Sequence, residues 1–298
     1  MNILISGGTG FVGSALTNAL IRKGHHIFIC TRSANKKSTH KQVQFVSYDV
    51  LGHLPNMDAV INLAGESLFG YWTSDKKEQI LNSRTHVTRT LVEYIQKQTV
   101  RPKVFISGSA VGFYGTSEDK MYTEKTTQPG NDFLAEVASS WEKQARPVED
   151  LGVRTVYTRF GVILGHGGAL PLMELPVKLF VGGKVGTGKQ WLSWVHVDDV
   201  VKSMIECMDN SMIEGPVNVT SPHPVRNDFF MKTIATSLGR PYWFPTPATA
   251  IRLALGEMSM LVVEGQYVLP HKLMDIEGFN FSYPNIENAL RQLNGISS

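Results

Sequence analysis

The sequence predicts an α/β protein, with a doubly wound parallel sheet followed by a smaller C-terminal α/β lobe. Three observations support this prediction. A strand, a glycine-rich turn and a helix follow one another at the N-terminus. Short, almost continuously apolar runs, as in buried parallel strands, recur over residues 1–165 and alternate with helical patterns. Finally, 298 residues exceed one compact unit, which predicts a large domain and a smaller lobe.

The first residues, MNILISGGTGFVG, carry the strongest signal. An apolar run ends at Ser6, and from Phe11 the apolar spacing becomes helical. The glycines suit a tight turn, close approach of the backbone to a pyrophosphate, and close packing of helix on strand. Unpaired N–H groups and the positive dipole end of the helix favour phosphate binding. The turn therefore predicts a dinucleotide site in a Rossmann-type domain. Its predicted contacts are Gly7, Thr9, Gly10, Phe11, Val12 and Gly13.

The end of the second predicted strand, His26–Cys30, bears on the choice of coenzyme. It lies about twenty residues after the glycines, where an acid usually binds the ribose hydroxyls of NAD and a basic residue suits a 2′-phosphate. Thr31 and Arg32 stand there, and Lys36 and Lys37 follow closely. A solvent-facing loop of charges is the alternative interpretation. Combined with the glycine turn, these residues favour NADP(H) over NAD.

Two further strands are predicted over residues 43–47 and 58–64. Asp49, after the first, lies where adenine commonly binds in such folds. The second, DAVINLA, is almost continuously apolar, and its C-terminal end falls on the ligand side of the sheet. The contacts predicted there are Leu63, Ala64, Gly65 and Glu66. An amphipathic helix is predicted over residues 74–98, and Arg84 within it is either a surface charge or a cofactor contact.

The fifth predicted strand, residues 103–107, runs into the small and aromatic segment GSAVGFYG. With GGTGFVG, NLAG and SGSAVGFYG at these separations, the chain resembles the extended short-chain dehydrogenase/reductase superfamily, which includes nucleotide-sugar epimerases. WVHVDDV at 194–200 and GPVNVTSP at 215–222 match its later segments, so the resemblance covers nearly the whole chain. NLAGESL, DFLAEVASSWE, TRFGVILG and LVVEGQYVLP are similar, more narrowly, to the atypical branch called epimerase family proteins.

The superfamily resemblance implies a catalytic Ser, Tyr and Lys, in which Tyr exchanges a proton with the substrate oxygen while nicotinamide exchanges a hydride with its carbon. A free phenol has a pKa of about 10, so it requires a neighbouring ammonium to ionise near neutrality. The helix predicted over residues 131–146 contains no Tyr. Phe133 or Leu134 stands at the position of Tyr, and Val137 or Ala138 at that of Lys. The usual base is therefore missing.

Other residues are candidates for the missing proton donor. Tyr122 and Lys125 are three residues apart in a polar stretch typical of a loop. Tyr114 follows the fifth strand at the ligand end of the sheet, and either donates a proton or packs over the cofactor. Ser109 matches the catalytic serine of the superfamily, in a segment one residue longer than usual. We expect it to hydrogen-bond a substrate oxygen, with Ser107 as the alternate. The predicted catalytic residues are Ser109 and Tyr114.

A further buried strand is predicted over residues 154–164. In the superfamily this segment passes the nicotinamide, so the resemblance makes Arg159, Gly161 and Ile163 candidate cofactor contacts. His196 either caps a helix that begins near Val200 or takes part in catalysis.

The predicted domain boundary lies at the glycines of residues 165–168. It gives an NADP-binding Rossmann domain over residues 1–165 and a substrate lobe over residues 166–298, with elements around 190–220 returning to the first domain.

The composition bears on which partners besides the coenzyme the protein is expected to bind. A net charge of +3 without a Lys/Arg block argues against nucleic acid. Cys30 and Cys207 lie far apart without metal-ligand spacing, so no metal is expected and a reducing cytoplasm fits. No apolar run reaches membrane-spanning length. We expect a cytoplasmic protein with a small-molecule substrate and no membrane partner. A homodimer, common in the superfamily, is plausible.

Together, these features predict an NADP(H)-dependent oxidoreductase or epimerase-like enzyme with an undetermined substrate. The alternative is a catalytically silent protein that reports NADPH/NADP⁺ status to a partner. The missing Tyr and Lys favour this alternative. The serine, the aromatic residues and the small-molecule pocket predicted between the two lobes favour the enzyme.

Overall fold

The computed structural model of the chain describes residues 1–32 and 38–295, so the predicted contributions of Lys36 and Lys37 lie outside the described residues. The strands are β1 (Asn2–Ser6), β2 (His26–Cys30), β3 (Val43–Val46), β4 (Ala59–Asn62), β5 (Val104–Ala110), β6 (Met121–Tyr122), β7 (Arg154–Phe160), β8 (Val162–Leu164), β9 (Trp191–Leu192), β10 (Trp194–His196), β11 (Gly215–Val219), β12 (Val225–Arg226) and β13 (Tyr267–Val268).

The α-helices alternate with these strands in the first half of the chain and dominate its last third. They are α1 (Phe11–Arg22), α2 (Ser74–Lys97), α3 (Phe133–Ala145), α4 (Leu170–Lys178), α5 (Val197–Asp209), α6 (Asn227–Ser237), α7 (Ala248–Leu255), α8 (Met260–Val263), α9 (His271–Met274) and α10 (Ile286–Leu293).

Seven strands form one parallel sheet in the order β11-β7-β5-β4-β1-β2-β3. β1, an interior strand of this sheet, is buried on both faces. Ile3 and Ile5 pack in the cluster that contains α1 and α5, whereas Leu4 faces the cluster that contains α2. The order reverses between β1 and β4, and in such sheets ligands bind outside the carboxyl ends of the strands at this reversal. The predicted doubly wound Rossmann fold is confirmed.

Two strand ends differ from the sequence prediction. β5 continues beyond residue 107 because Gly108, Ser109 and Ala110 pair with β7. Ser109 therefore lies on a central strand and not in the turn that follows it. The predicted strand over residues 154–164 is split at Gly161, where a Cβ would lie 2.5 Å from the carbonyl oxygen of Ser193. Beyond this residue the chain pairs with β10 and no longer with β11.

The second half of the chain contributes to two regions. α4, α6 and α10 form an apolar cluster around Trp194 and Phe230. β11 returns to the main sheet beside β7, and the guanidinium of Arg154 donates to the carbonyls of Cys207, Met208 and Ile213. The domain boundary near residue 165 stays a prediction.

Two predicted details concern individual residues. The Nδ1 atom of His196 accepts from the backbone N–H of Asp198 at 3.1 Å, so His196 caps α5, which begins at Val197 and not near Val200. Cys30 and Cys207 are buried and free, and burial raises the pKa of each thiol to about 12.

In the described parts of the chain, no helix is long and apolar enough to cross a membrane. The same residues contain no group of three or more acidic, His or Cys side chains placed to hold a metal ion.

Candidate functional site

The glycine turn between β1 and α1 is shaped by close backbone contacts. Gly7 has a φ of 73°, and a Cβ there would lie 2.5 Å from the carbonyl group of Leu63. A Cβ on Gly13 would overlap the carbonyl oxygen of Gly7. The N–H of Gly10 donates to that same oxygen at 3.0 Å and closes the turn. Glycine is therefore required at positions 7 and 13 by the packing of the protein itself.

Gly10 differs from these two glycines. It is exposed, its φ of −77° suits any residue, and a Cβ there would have one close neighbour, the Gly7 carbonyl oxygen at 3.3 Å. The space beside Gly10 is thus left open on the outer side of the turn, where a side chain would fill it. This opening fits a phosphate group approaching the backbone.

The N-terminus of α1 is also suited to an anion. Gly10 is its N-cap, no side chain caps the helix, and no acidic residue stands in its first turn. The first N–H groups of a helix lack intrahelical partners and carry the positive end of its dipole. The predicted contacts Phe11, Val12 and Gly13 are in this first turn, and the exposed Thr9 precedes it. The residues present fit the pyrophosphate of a dinucleotide.

The ring of Phe11 faces the second half of the chain. A Cβ on Gly165 would overlap this ring, and one on Gly167 would lie 2.8 Å from it. Phe11 therefore connects the glycine turn to the segment that leads into α4. The contact predicted between Phe11 and a cofactor would then be made by the backbone of Phe11.

The predicted adenosine contacts lie at the ends of β2 and β3. Arg32 is exposed, and the N–H of Thr31 donates to the carbonyl of Val46 at 2.9 Å. Asp49 is exposed, and the Ser47 hydroxyl lowers the pKa of its carboxyl group. Arg32 also contributes to the lowered pKa of Glu66, although Lys76 is the main cause. Arg32 follows β2 and Glu66 follows β4, so both stand at the carboxyl edge of the sheet.

The segment after β4 brings Arg84 to the same edge. A Cβ on Gly65 would lie 3.0 Å from the guanidinium carbon of Arg84. Glu66 is bound to Lys76 at 3.0 Å, and its N–H donates to the Ser83 hydroxyl on the same helix as Arg84. Arg84 is half-buried, and burial lowers its pKa to about 10. It is therefore not an ordinary surface charge.

A buried polar network occupies the ends of β5, β7 and β11. Arg159 and Glu142 form a two-fold hydrogen-bonded ion pair at 2.8 and 2.9 Å, with their side chains 3% and 8% exposed. Ser109 donates to the same Glu142 carboxylate at 2.7 Å. Tyr114 accepts from Arg159 at 2.9 Å and donates to Asn218 at 2.7 Å. Glu142 was not among the residues predicted from the sequence. The available signal was an acid on the apolar face of α3.

This network changes the roles predicted for three residues. A hydroxyl has one proton, and Ser109 and Tyr114 direct theirs to Glu142 and Asn218, so neither donates to a ligand in this arrangement. Burial is also the main cause of the raised pKa of Tyr114. The Arg159 guanidinium is used by Glu142 and Tyr114 and lies 3.5 Å from the centre of the Phe113 ring. Arg159 therefore belongs to this network, and its contact with the cofactor stays a prediction.

The positions of the missing catalytic pair are apolar in three dimensions as well. Phe133 packs edge-on against Trp72 with ring centres 5.1 Å apart, and Val137 joins the same cluster. Leu134 is partly buried there, and Ala138 packs beside Tyr114.

The other candidate residues, Tyr122 and Ser107, also contact groups inside the protein. Tyr122 stacks on Tyr114 with ring centres 5.2 Å apart, and Ser107 is fully buried, with its hydroxyl 3.5 Å from the Gly108 carbonyl. Ile163 is partly buried on β8, against the cluster that contains α1.

The structure thus sorts the predicted residues into two groups. The glycine turn, Gly65 and Arg84 surround the carboxyl edge at the strand-order reversal. Ser109, Tyr114 and Arg159 form an internal network beside that edge. A parallel sheet with this order and an uncapped glycine turn defines a Rossmann-type fold of the class that binds dinucleotides.

Comparison with known proteins agrees with this class. The model of the NAD dependent epimerase/dehydratase family matches residues 3–219, and a domain of unknown function, DUF1731, matches residues 246–293. The chain therefore belongs to the NAD dependent epimerase/dehydratase family, in the branch of the epimerase family proteins. It is 48% identical to the epimerase family protein YfhF of Bacillus subtilis, over 98% of each chain.

Two solved structures extend the comparison. The human epimerase family protein SDR39U1 (isoform 2), solved with NADPH, is 30% identical, covers 99% of each chain and superimposes with a TM-score of 0.89. A nucleoside-diphosphate sugar epimerase of Corynebacterium glutamicum is 31% identical with a TM-score of 0.79, and the match covers 99% of this chain but 58% of that one.

Proposed function

We propose that this chain binds NADP(H) along the carboxyl edge of its sheet and acts as an oxidoreductase or epimerase-like enzyme on a small molecule. The observation that carries the proposal is the open space at Gly10 beside the uncapped N-terminus of α1. The exposed Arg32 supports the 2′-phosphorylated coenzyme, as does the NADPH in the human relative. The nicotinamide would supply the hydride chemistry, and the chain would bind and orient the reactants.

The site differs from that of a typical family member in its proton chemistry. Ser109 and Tyr114 have their protons directed inward, and apolar side chains stand where Tyr and Lys are expected. The lone pairs of Ser109 remain able to accept a hydrogen bond, so a ligand group at this serine must be a donor such as a hydroxyl. Proton exchange with the substrate therefore falls to water or to a rearranged Ser109.

The same observations favour a second candidate, a catalytically silent NADP(H)-binding protein that reports the redox state of the coenzyme to a partner. The Ser109 and Tyr114 hydroxyl protons already have acceptors inside the protein, so the network is complete without a substrate. The absence of nucleic-acid and membrane partners, a cytoplasmic location and homodimer formation remain predictions from the sequence.

An assay of NADPH oxidation distinguishes the two candidates. The purified protein is tested by absorbance against carbonyl compounds, quinones and nucleotide sugars, beside Ser109→Ala and Tyr114→Phe. We expect turnover with one of these classes. Ser109→Ala should lower it by about tenfold or more, because the alanine lacks the hydroxyl oxygen that accepts from the substrate. Tyr114→Phe should change kcat little, since its proton serves Asn218. NADPH binding without oxidation of any compound would favour the sensor.

The coenzyme preference depends on Arg32. We expect Arg32→Asp to weaken NADPH binding by at least about tenfold while changing NADH binding little, because a carboxylate repels the 2′-phosphate and removes a charge-assisted hydrogen bond. Lys41→Asp, an exposed site with the same change in net charge, is the matched control. Calorimetric titration measures both ligands. Equal effects of the two variants, or equal effects on NADPH and NADH, would contradict the NADP(H) assignment.

A further inference from the structure

Arg84 of α2 and Trp141 of α3 meet beside the carboxyl ends of β4 and β5. The guanidinium carbon of Arg84 lies 5.2 Å from the centre of the Trp141 ring. Gly65, just after β4, borders the guanidinium, and a Cβ on Gly108 of β5 would lie 2.7 Å from the Trp141 ring. The segment after β4 and strand β5 thus approach this pair closely at glycines.

Both side chains have hydrogen-bond donors to spare. A guanidinium carries five N–H donors, yet the hydrogen bond formed by Arg84 in the described structure is to the carbonyl of Ile80, at 2.9 Å. Among residues 1–32 and 38–295, no carboxylate lies within ion-pair distance of Arg84. The Nε1–H of Trp141, a residue 7% exposed, is buried and has no acceptor in these residues. Buried donors are usually satisfied, so this pair is suited to acceptor oxygens that come from a ligand.

The pair lies close to the position of the missing lysine. Trp141 is four residues after Val137 and three after Ala138, so it shares their face of α3. Ile80, whose carbonyl accepts from Arg84, packs in the same apolar cluster as Val137. Arg84 thus lies against Trp141, the residue one helical turn beyond the position where the superfamily resemblance expects an ammonium group.

We propose that Arg84 supplies, from the neighbouring helix, the positive charge that is missing from α3. Together with the Nε1–H of Trp141 it binds oxygen atoms on the nicotinamide half of NADP(H), the ribose hydroxyls and the adjoining phosphate. This inference rests on the proposed binding of NADP(H). Because a guanidinium remains protonated, Arg84 binds and orients the coenzyme and does not exchange a proton.

The test compares two ligands by calorimetry. NADPH contains both halves of the coenzyme, whereas 2′,5′-ADP contains the adenosine half and lacks the nicotinamide ribose. We expect Arg84→Met to weaken NADPH binding by about tenfold or more and to change 2′,5′-ADP binding by less than about twofold. Arg84→Lys retains the charge without the fork of donors, so its affinity for NADPH is expected to be intermediate.

Two further variants make the comparison specific. Arg89→Met removes an exposed arginine from the same helix and is expected to leave both affinities unchanged. Trp141→Phe removes the indole N–H but keeps an aromatic ring, and is expected to weaken NADPH alone. Thermal unfolding of each variant without ligand shows that the protein is folded.

The outcomes separate this inference from the proposed function. If Arg84→Met leaves NADPH binding unchanged, or weakens NADPH and 2′,5′-ADP equally, the inference is overturned and NADP(H) binding stands. If the unmodified protein binds neither ligand, the proposed function fails, and the role of Arg84 fails with it. Selective loss of NADPH affinity in Arg84→Met and Trp141→Phe supports the assignment.

Discussion

Gly10→Ala is expected to abolish most of the affinity for NADPH while leaving the protein folded. The backbone at Gly10 is compatible with alanine, and a Cβ there has one close protein neighbour at 3.3 Å. The methyl group would instead occupy the space proposed for the pyrophosphate. Loss of two charge-assisted hydrogen bonds corresponds to about 3 kcal/mol, or roughly a 100-fold weaker Kd. The free energy of unfolding without ligand should change by less than about 1 kcal/mol.

Gly13→Ala is the matched comparison for this result. Its Cβ would overlap the carbonyl oxygen of Gly7, so the turn itself must move, at a cost of about 1–3 kcal/mol in folding stability. Calorimetric titration and denaturant unfolding separate the two effects. If Gly10→Ala binds NADPH as the unmodified protein does, the phosphate does not lie against this turn.

Arg159→Met is expected to destabilise the fold more than loss of any surface ion pair. It leaves the Glu142 carboxylate buried and unpaired, and also removes a hydrogen bond from Tyr114. Breaking a buried ion pair on one side typically costs about 3–5 kcal/mol. Denaturant unfolding monitored by circular dichroism measures the difference.

The control is Lys23→Met, which breaks the ion pair between Lys23 and Asp209. These side chains are 49% and 43% exposed, and such a pair contributes less than about 1 kcal/mol. A double variant, Arg159→Met with Glu142→Leu, should lose less stability than the sum of the two single variants, because it leaves no unpaired charge. If Arg159→Met lowers the free energy of unfolding no more than Lys23→Met does, the buried ion pair contributes little to the stability of the fold.

The sequence predicts the N-terminal half of the sheet well because its signals are local. β1, α1 and β2 follow from apolar runs bounded by glycines, and their observed limits agree with the prediction. The end of β5 is different. Gly108 and Ser109 have little strand preference of their own, and they are extended because β7 pairs with them. A local pattern does not contain that information.

The partners within the site were the least predictable feature. Glu142 and Arg159 are 17 residues apart on different elements, and their pairing appears only when α3 packs against β7. The role of Arg84 was equally hard to predict, since its position in the predicted helix fits either a surface charge or a ligand contact. Its burial against Gly65 depends on where the segment after β4 runs. That Arg84 and the residues around it bind a coenzyme remains a prediction.

The pairing of β11 with β7 has a consequence for synthesis of the chain. β7 ends at Phe160, but its second neighbour in the sheet begins at Gly215. While the chain emerges from the ribosome, β7 therefore remains an unprotected edge strand for more than fifty residues of translation, and such edges can pair with other chains. Release of residues 215–219 allows β11 to pair with β7 and ends this exposure.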